Sequence, residues 1–334
     1  MLRIGYKASA EQFGPRELLE FGRRAEQLGY DSVFVSDHFQ PWRHHGGHAP
    51  FSIAWLAALG EATQRVLIGT SVLTPSFRYH PAIVAQAFGT LGALFPGRVI
   101  LGMGSGESMN ETPATGMKWP EQRERTRRLR EAVQLIRQLW SQERVSFSGE
   151  YYRTDRATIY DRPAQAVPIY LAAAGAVIAK LAGATAQGFI CTSGKAQELY
   201  RETLLPALAE GRAQAGRSPD AVDLMIEMKV SYDTDAERAL RDTHFWGALA
   251  LSAEEKVNVE DPLEMERRAD ALPVERTAQR FIVSSDPQAQ IEGIARYIEL
   301  GFRHVVLHAP GPDQVRFLEL YAEQVIPRLR GRFS

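Results

Sequence analysis

The feature that most restricts the fold of this chain is an alternation of short apolar runs with longer segments of helical period, which continues to the end of the sequence. The apolar runs are rich in β-branched and aromatic residues, as strands buried on both faces are. Eight of these runs are predicted strands of one sheet, at residues 2–7, 32–36, 66–71, 99–103, 169–171, 189–191, 224–226 and 304–308.

The segments between these runs predict helices, the main ones at residues 16–28, 52–63, 81–95, 120–140 and 317–329. Eight strands that each precede a helix predict an α/β fold, a (β/α)8 TIM barrel of about 250 residues or more. We expect a single barrel domain over residues 1–334, with insertions near 141–166, where residues 145–159 alternate as a hairpin does, and near 235–273. The run at residues 281–283 has no assigned role. An open doubly wound sheet is the alternative, but the polar clusters follow many strands and not one switch point.

Composition narrows the classes of partner. The 334 residues include 39 Lys plus Arg and 40 Asp plus Glu, a balance that argues against nucleic acid or a polybasic membrane contact. Cys191 is the sole cysteine, so no internal disulfide or CxxC pair is possible. No apolar run approaches the ~18 residues of a membrane span, and the first residues lack the pattern of a signal peptide. We therefore expect a cytoplasmic protein.

Polar residues directly after the strands are the candidates for chemistry, because barrel active sites lie at the carboxyl ends of the strands. His38 follows Asp37 after the second strand, and it is either a general base or a hydrogen-bonded structural histidine. Glu107 follows the glycine-rich residues 102–106 after the fourth strand, and it is either a buried proton donor or an ion-paired surface carboxylate. The histidines at 44, 45 and 48 lack an obvious completing ligand, so no metal site is predicted.

Three cations form the other candidate group. They are Lys195, which follows Thr192 after the sixth strand, Lys256 in the second insertion, and Arg280. Each alone has the features of a surface charge, but together the three would clamp a phosphate dianion. The small residues 172–176, which precede a predicted helix, suit either phosphate binding by backbone N–H groups or tight packing.

Five stretches of the sequence resemble F420-dependent glucose-6-phosphate dehydrogenases, a family that belongs to the luciferase-like flavin and deazaflavin barrels. They are GYKASAEQF at 5–13, SDHFQPWRH at 36–44, GTSVLTP at 69–75, GFICTSGK at 188–195 and HAPG at 308–311. The resemblance runs from residue 2 nearly to the end of the chain, in order and with similar spacing. It implies a homodimer that transfers a hydride from C1 of glucose 6-phosphate to C5 of coenzyme F420, giving 6-phosphogluconolactone.

The resemblance also implies a role for each site residue. His38 would take the proton of the sugar C1 hydroxyl, Glu107 would protonate the reduced deazaflavin at N1, and Trp42 would line the reacting centre. Thr192, Lys195, Lys256 and Arg280 would hold the substrate and its phosphate. The residues implied to contact the cofactor are Asp37, Ser71, Val72, Thr74, Gly106, Ala174 and Gly175. Ser71 and Val72 occupy the position of a non-proline cis peptide in the family.

The sequence departs from the family pattern at two positions. Val257 stands where close relatives have histidine, which bears on the range of sugar phosphates accepted, and Ala174 stands where they have glycine in the loop on the cofactor side. The alternatives are an F420-dependent dehydrogenase of another sugar phosphate or alcohol, an FMN-dependent monooxygenase on the same barrel, and a deazaflavin-binding protein without catalysis. The three cations distinguish the sugar-phosphate enzyme from the monooxygenase and from an alcohol dehydrogenase.

Overall fold

The computed structural model describes residues 1–252, 254–256 and 259–333. Over these residues the chain forms nine β-strands: β1 Arg3–Ala8, β2 Ser32–Val35, β3 Leu67–Thr70, β4 Val99–Met103, β5 Ile169–Ala172, β6 Gly188–Thr192, β7 Asp223–Tyr232, β8 Ile282–Ser284 and β9 His304–His308. All of their ladders are parallel, and eight of the strands close into a barrel because β7 pairs with both β6 and β9, and β9 pairs with β1. This closure confirms the (β/α)8 barrel and excludes the open sheet.

The eight predicted strands are the eight barrel strands. The ninth, β8, contains part of the unassigned run at 281–283 and pairs only with the outer end of β7, at Val230–Tyr232. This pairing is possible because β7 is ten residues long and extends beyond the barrel rim. The predicted run at 224–226 was too short, since it covers only the part of β7 that lies within the closed sheet.

Helices surround the barrel on its outer side. They are α1 Pro15–Gln27, α2 Ser52–Ala62, α3 Pro81–Leu94, α4 Ser108–Thr115, α5 Gln122–Ser141, α6 Ala176–Thr185, α7 Leu205–Gln214, α8 Ala236–Arg241, α9 Pro262–Asp270, α10 Val274–Ala278, α11 Pro287–Ile298, α12 Gln314–Gln324 and α13 Ile326–Phe333. A π-helical turn, Leu199–Leu204, runs into α7, and 3-10 turns lie at Pro219–Ala221 and Asp242–Ala250. Within the described part of the chain, no helix is long and apolar enough to cross a bilayer.

The last predicted helix, at 317–329, is wrong in one respect, because the structure divides it into α12 and α13. Pro327 explains the break, since its ring has no N–H to donate and collides with the carbonyl of the residue four positions earlier. Val325, between the two helices, has a φ of −112°, outside the helical range.

The segment between α5 and β5 contains the predicted hairpin. Antiparallel bridges join Val145 to Ala157 and Ser148 to Arg153. The Glu131 carboxylate on α5 accepts the backbone N–H groups of residues 150–152 at 2.6–3.0 Å, so the tip of the hairpin is bound to the helix. The extent of the two predicted insertions and the single-domain boundary at 1–334 stay predictions.

Two apolar layers hold the barrel together. A large cluster lies between the sheet and the helices, and a small one fills the inside of the barrel with Phe34, Ile100, Tyr170, Ile190, Met225 and Val306. Below the inner cluster, at the amino ends of the strands, Asp223 pairs with Arg3 and His304. Above the inner cluster, at the carboxyl ends of the strands, other polar side chains line the cavity described next.

Candidate active site

A cavity of about 570 Å³ opens at the carboxyl ends of the barrel strands. This volume lies in the range of roughly 300–1,000 Å³ that small-molecule sites occupy. All but one of the predicted site residues line it: Asp37, His38, Trp42, Ser71, Val72, Thr74, Gly106, Glu107, Ala174, Thr192, Lys195, Lys256 and Arg280. Gly175 is the exception. It lies just outside the lining, at the N-terminus of α6.

Asp37 is buried, and its two oxygens are occupied by neighbouring side chains. Oδ1 accepts the hydroxyls of Ser52 at 2.6 Å and Tyr79 at 3.1 Å, and Oδ2 accepts the Arg78 guanidinium at 2.8 Å. Arg78 also binds Glu111 at 3.1 Å. These contacts fix the loop after β2 against the loop after β3, and so they set the position of the next residue, His38.

His38 lies between a carboxylate and an amide. Its Nε2 is 3.3 Å from Oε1 of Glu11, and its Nδ1 is 3.4 Å from Nδ2 of Asn110. The Asn110 amide is oriented by the backbone N–H of Phe39, which donates to Oδ1 at 2.9 Å, so its NH₂ group faces the imidazole. The contacts place a carboxylate acceptor beside Nε2 and an amide donor beside Nδ1, so they fit donation from Nε2 to Glu11 and weak acceptance at Nδ1.

Glu11, which the sequence analysis did not single out, is the partner that orients His38. It is buried, and the Ser36 hydroxyl donates to its Oε2 at 2.5 Å. Burial alone would raise the pKa of this carboxyl, but His38, Lys7 and the Ser36 hydroxyl together lower it below its usual value. Glu11 is thus a fixed anion beside the imidazole. The sequence signal that could have identified Glu11 is its position three residues after β1, since active-site residues of barrels follow the strands.

The predicted phosphate cations meet at one side of the cavity. Arg280 donates from Nη1 to the Gly194 carbonyl, and its buried Nε has no hydrogen-bond partner within the described part of the chain. Gly194 has a φ of +74°, and a Cβ there would lie 2.5 Å from the Arg280 carbonyl oxygen, so only glycine allows this close turn. Desolvation and the Arg280 charge lower the pKa of Lys195.

Lys256 is the third cation, and it lies over Trp42, with Nζ 4.8 Å from the ring centroid. Burial lowers the pKa of Lys256 to about 8; the charge of Glu107 opposes this shift, and the charges of Lys195 and Arg280 add to it. Cations that lower one another's pKa form a site that favours an anion. Val257, the departure from the family pattern, lies outside the described residues.

Glu107 is exposed at the cavity mouth and precedes the first residue of α4. The sequence offered two interpretations of Glu107, a buried proton donor and an ion-paired surface carboxylate. Because the side chain is exposed, the structure does not show a buried group. Its carboxylate faces the cavity, close enough to attract the Lys256 ammonium, and it remains open to solvent for proton exchange.

Small and apolar residues form the opposite wall. A non-proline cis peptide joins Ser71 to Val72, as the resemblance implies. A Cβ at Gly104 would lie 2.8 Å from Val72, and one at Gly106 would lie 2.9 Å from Thr74, so glycine keeps this wall open. With Ala172 and Ala174 it forms an apolar surface suited to a flat ring. The residues present fit a deazaflavin.

Besides Glu11, Ser36, Asn110 and Glu111, described above, the sequence analysis missed four further buried polar residues of the lining: Lys7, Glu227, Lys229 and His308. Glu227 and Lys229 alternate with buried apolar residues on β7, and the available signal was this alternation beyond Ile226. For the described residues, no group of three or more His, Cys, Asp or Glu side chains is arranged to hold a metal ion. The three histidines of the β2 loop do not cluster on one ion, and His45 binds Glu266 at 3.1 Å.

Comparison with known proteins agrees with this site. A family model described as luciferase-like monooxygenase matches residues 2–304. The F420-dependent glucose-6-phosphate dehydrogenase of Nakamurella multipartita is 63% identical over 98% of this chain and 97% of its own length. That of Mycolicibacterium smegmatis is 59% identical over 98% of both chains. A solved structure of an F420-dependent secondary alcohol dehydrogenase in complex with an F420-acetone adduct superposes with a TM-score of 0.93 at 35% identity, over 98% of this chain and 99% of that one. The chain therefore belongs to the luciferase-like monooxygenase family and, within it, to the F420-dependent glucose-6-phosphate dehydrogenases.

Proposed function

We propose that this protein is an enzyme that oxidises glucose 6-phosphate at C1 to 6-phosphogluconolactone, with coenzyme F420 as the hydride acceptor. The observation that carries this proposal is the content of one cavity. An imidazole paired with a carboxylate, an apolar wall for a flat ring and a group of cations for a phosphate all line the same space. An uncharged alcohol would leave the three cations without a partner, so a sugar phosphate fits this lining better.

The apolar wall holds the cofactor in this proposal. Coenzyme F420, an 8-hydroxy-5-deazaflavin, supplies hydride acceptance when it is bound. Val72, Thr74, Gly106 and Ala174 are placed to contact its ring, and Asp37 supports the loop that carries His38. Gly175 lies outside the cavity lining, so its contact with the cofactor stays a prediction.

His38 is the base of the reaction in this proposal. Its Nδ1 holds only a 3.4 Å contact with Asn110, which a substrate hydroxyl can replace, so Nδ1 can accept the proton of the C1 hydroxyl. Glu11 beside Nε2 keeps the ring in one tautomer and stabilises the imidazolium that forms. Trp42, whose ring centroid is 5.7 Å from that of His38, limits water on this side.

Glu107 is the second proton carrier in this proposal. Because it is exposed at the mouth and faces the cavity, it can exchange protons with solvent and deliver one inside. Thr192, Lys195, Lys256 and Arg280 hold the phosphate at the opposite end of the sugar from C1. An anchor remote from the reacting carbon converts binding energy into orientation.

We also propose that the protein is a homodimer that packs through α2 and α3. The α3 sequence carries no charged side chain, yet Ile83 and Leu94 are 55% and 59% exposed, and Phe51 at the start of α2 is 53% exposed. An exposed apolar helix face of this kind marks an interface. The resemblance to a family of homodimers indicates a second copy as the occupant. The cytoplasmic location stays a prediction.

Turnover tests the proposed function directly. We expect the absorbance of oxidised F420 to fall when the purified protein is mixed with glucose 6-phosphate, and to stay constant with glucose, because only the phosphorylated sugar engages the three cations. Equal rates with the two sugars would contradict the phosphate site. A constant absorbance with both would contradict the dehydrogenase.

Replacement of the base separates chemistry from binding. His38→Ala should lower kcat about 10²–10⁴-fold, the usual contribution of a general base, while the affinity for F420 measured by titration stays near that of the wild type. His44→Ala is the matched control, since His44 is an exposed histidine of the same loop, and it should keep the wild-type rate. A parallel loss of cofactor affinity in His38→Ala would assign His38 to cofactor binding instead.

The charge of Lys256 predicts a pH dependence. A lysine whose pKa is lowered to about 8 is charged below that pH and neutral above it, so its contact with the phosphate is lost as the pH rises. We expect kcat/KM for glucose 6-phosphate to fall about 10-fold between pH 7.5 and 9.5, and Lys256→Met to remove this fall while lowering kcat/KM at pH 7.5. Lys180→Met, which alters an exposed lysine outside the cavity, is the control. An unchanged slope in Lys256→Met would show that another group titrates.

The dimer proposal predicts dissociation by charge. The double substitution Ile83→Glu and Leu94→Glu should convert the dimer to a monomer, because four carboxylates would be buried across a two-fold interface. Light scattering after gel filtration measures the mass. Leu263→Glu, at a 47% exposed leucine of α9, should leave the dimer intact. A wild-type monomer at micromolar concentration would contradict the proposal.

A further inference from the structure

A row of buried polar side chains lines the cavity between the proposed base and the proposed phosphate site. It consists of Lys7 on β1, Glu227 and Lys229 on β7, and His308 on β9, each less than a tenth exposed. The strand register places Lys229 directly beside His308. None of these four residues has a part in the proton transfers or the phosphate contacts described above.

The row is only half satisfied by its own contacts. Oε2 of Glu227 forms an ion pair with Lys7 at 3.1 Å and accepts the Ser71 hydroxyl at 3.2 Å. Oε1, in contrast, is 3.6 Å from both Lys229 Nζ and His308 Nδ1, which is too far for a hydrogen bond. Both ring nitrogens of His308 are buried without a partner among the described residues. Buried polar groups are normally paired, so this half of the row is built for a further partner.

The protonation states define what that partner must offer. Burial would raise the pKa of Glu227, but Lys7, Lys229 and His308 hold it well below its usual value, so Glu227 is an acceptor. Burial lowers the pKa of His308, which leaves a neutral ring with one donor and one acceptor. Lys229 supplies further donors. Trp246 packs edge-on against His308 at 4.4 Å between centroids and fixes the ring. The set matches hydroxyl groups, each of which both donates and accepts.

The row lies between the two ends of the cavity that C1 and the phosphate of a hexose phosphate would occupy. At one end, Lys7 acts on the charge of Glu11, which holds His38. At the other end, Lys229 is close enough to Arg280 to feel its charge. In a pyranose 6-phosphate, the hydroxyls at C2, C3 and C4 lie between C1 and the phosphate.

We propose that Glu227, Lys229 and His308 form a subsite that binds ring hydroxyls of the sugar and determines which sugar phosphates react. This inference rests on the proposed function, since it takes C1 at His38 and the phosphate at Arg280. A site that buries charged groups rejects an analogue without the matching hydroxyl, because its own donor or acceptor is then left unpaired. A purely structural ion cluster would make no such distinction.

The test compares glucose 6-phosphate with its 2-deoxy, 3-deoxy and 4-deoxy analogues on the wild-type protein. We expect at least one analogue to lose about 10–100-fold in kcat/KM, the range for a hydrogen bond to a charged group. Calorimetry on protein loaded with reduced F420, where no net turnover follows binding, should give the same ranking of affinities. If all three analogues stay within about 2-fold of the parent sugar in affinity, the subsite is overturned.

Substitution assigns the effect to the row. Lys229→Met and His308→Phe keep side-chain size, and in at least one of them the affected analogue and the parent sugar should become equal within about 2-fold. Lys195→Met is the matched control, because loss of a phosphate contact should weaken the parent and all analogues alike. A parent-to-analogue ratio unchanged in both row variants would overturn the assignment.

The two proposals fail in different ways. Glucose 6-phosphate turnover without discrimination among deoxy analogues would overturn the subsite and leave the dehydrogenase intact. Discrimination in the calorimetric affinities without any F420 reduction would overturn the dehydrogenase and support the subsite.

Discussion

The pairing of β7 with both β6 and β9 is the constraint on which the rest of the structure depends. It closes the sheet, so the carboxyl ends of eight strands from distant parts of the chain lie on one rim. His38 follows β2, Lys195 follows β6 and Arg280 precedes β8, and they line the same cavity only because of this closure. Beneath them, the apolar cluster inside the barrel separates the cavity from a second buried polar group at the amino ends of the strands, where Asp223 pairs with Arg3 and His304. The closed sheet therefore sets the frame of the site, and the loops that follow β2 and precede α9 add Trp42 and Lys256 to it.

Closure also determines the charge that the site must carry. Every second residue of β7 points into the barrel. After Met225, towards the carboxyl end of the strand, these inward residues are Glu227 and Lys229. A lone buried carboxylate costs several kcal/mol, so Glu227 requires cations, and Lys7 on the opposite side of the β9 strand supplies one at 3.1 Å. The chain is close to neutral overall, with 39 basic and 40 acidic residues, yet it places several charges within one cavity. Charge is thus distributed for binding and not for solubility alone.

Much of the fold was predictable because, over long segments, the spacing of the apolar residues and the residue types indicate the same secondary structure. The eight barrel strands were identified from apolar runs alone, and the two errors have local causes. Pro327 divides the last helix, and the long β7 was recognised only in its apolar part. Two cations of the proposed phosphate site, Lys195 and Arg280, were found as candidates because each lies near a strand end, whereas Lys256 lies in the second insertion. Their convergence needed the three-dimensional structure, since Arg280 and Lys195 are 85 positions apart in the sequence.

The residues that sequence reasoning missed share a physical property: each acts through a partner that is remote in the chain. Glu11 has no obvious role until His38 is placed 3.3 Å away, and His308 is an ordinary strand residue until both of its nitrogens are found without a partner. Local patterns report burial and secondary structure, whereas the state of a buried polar group depends on which groups surround it. For that reason a sequence can indicate where a reaction takes place in a barrel of this kind. The groups that select among similar substrates are recognised only in the three-dimensional structure, as buried polar atoms without a partner.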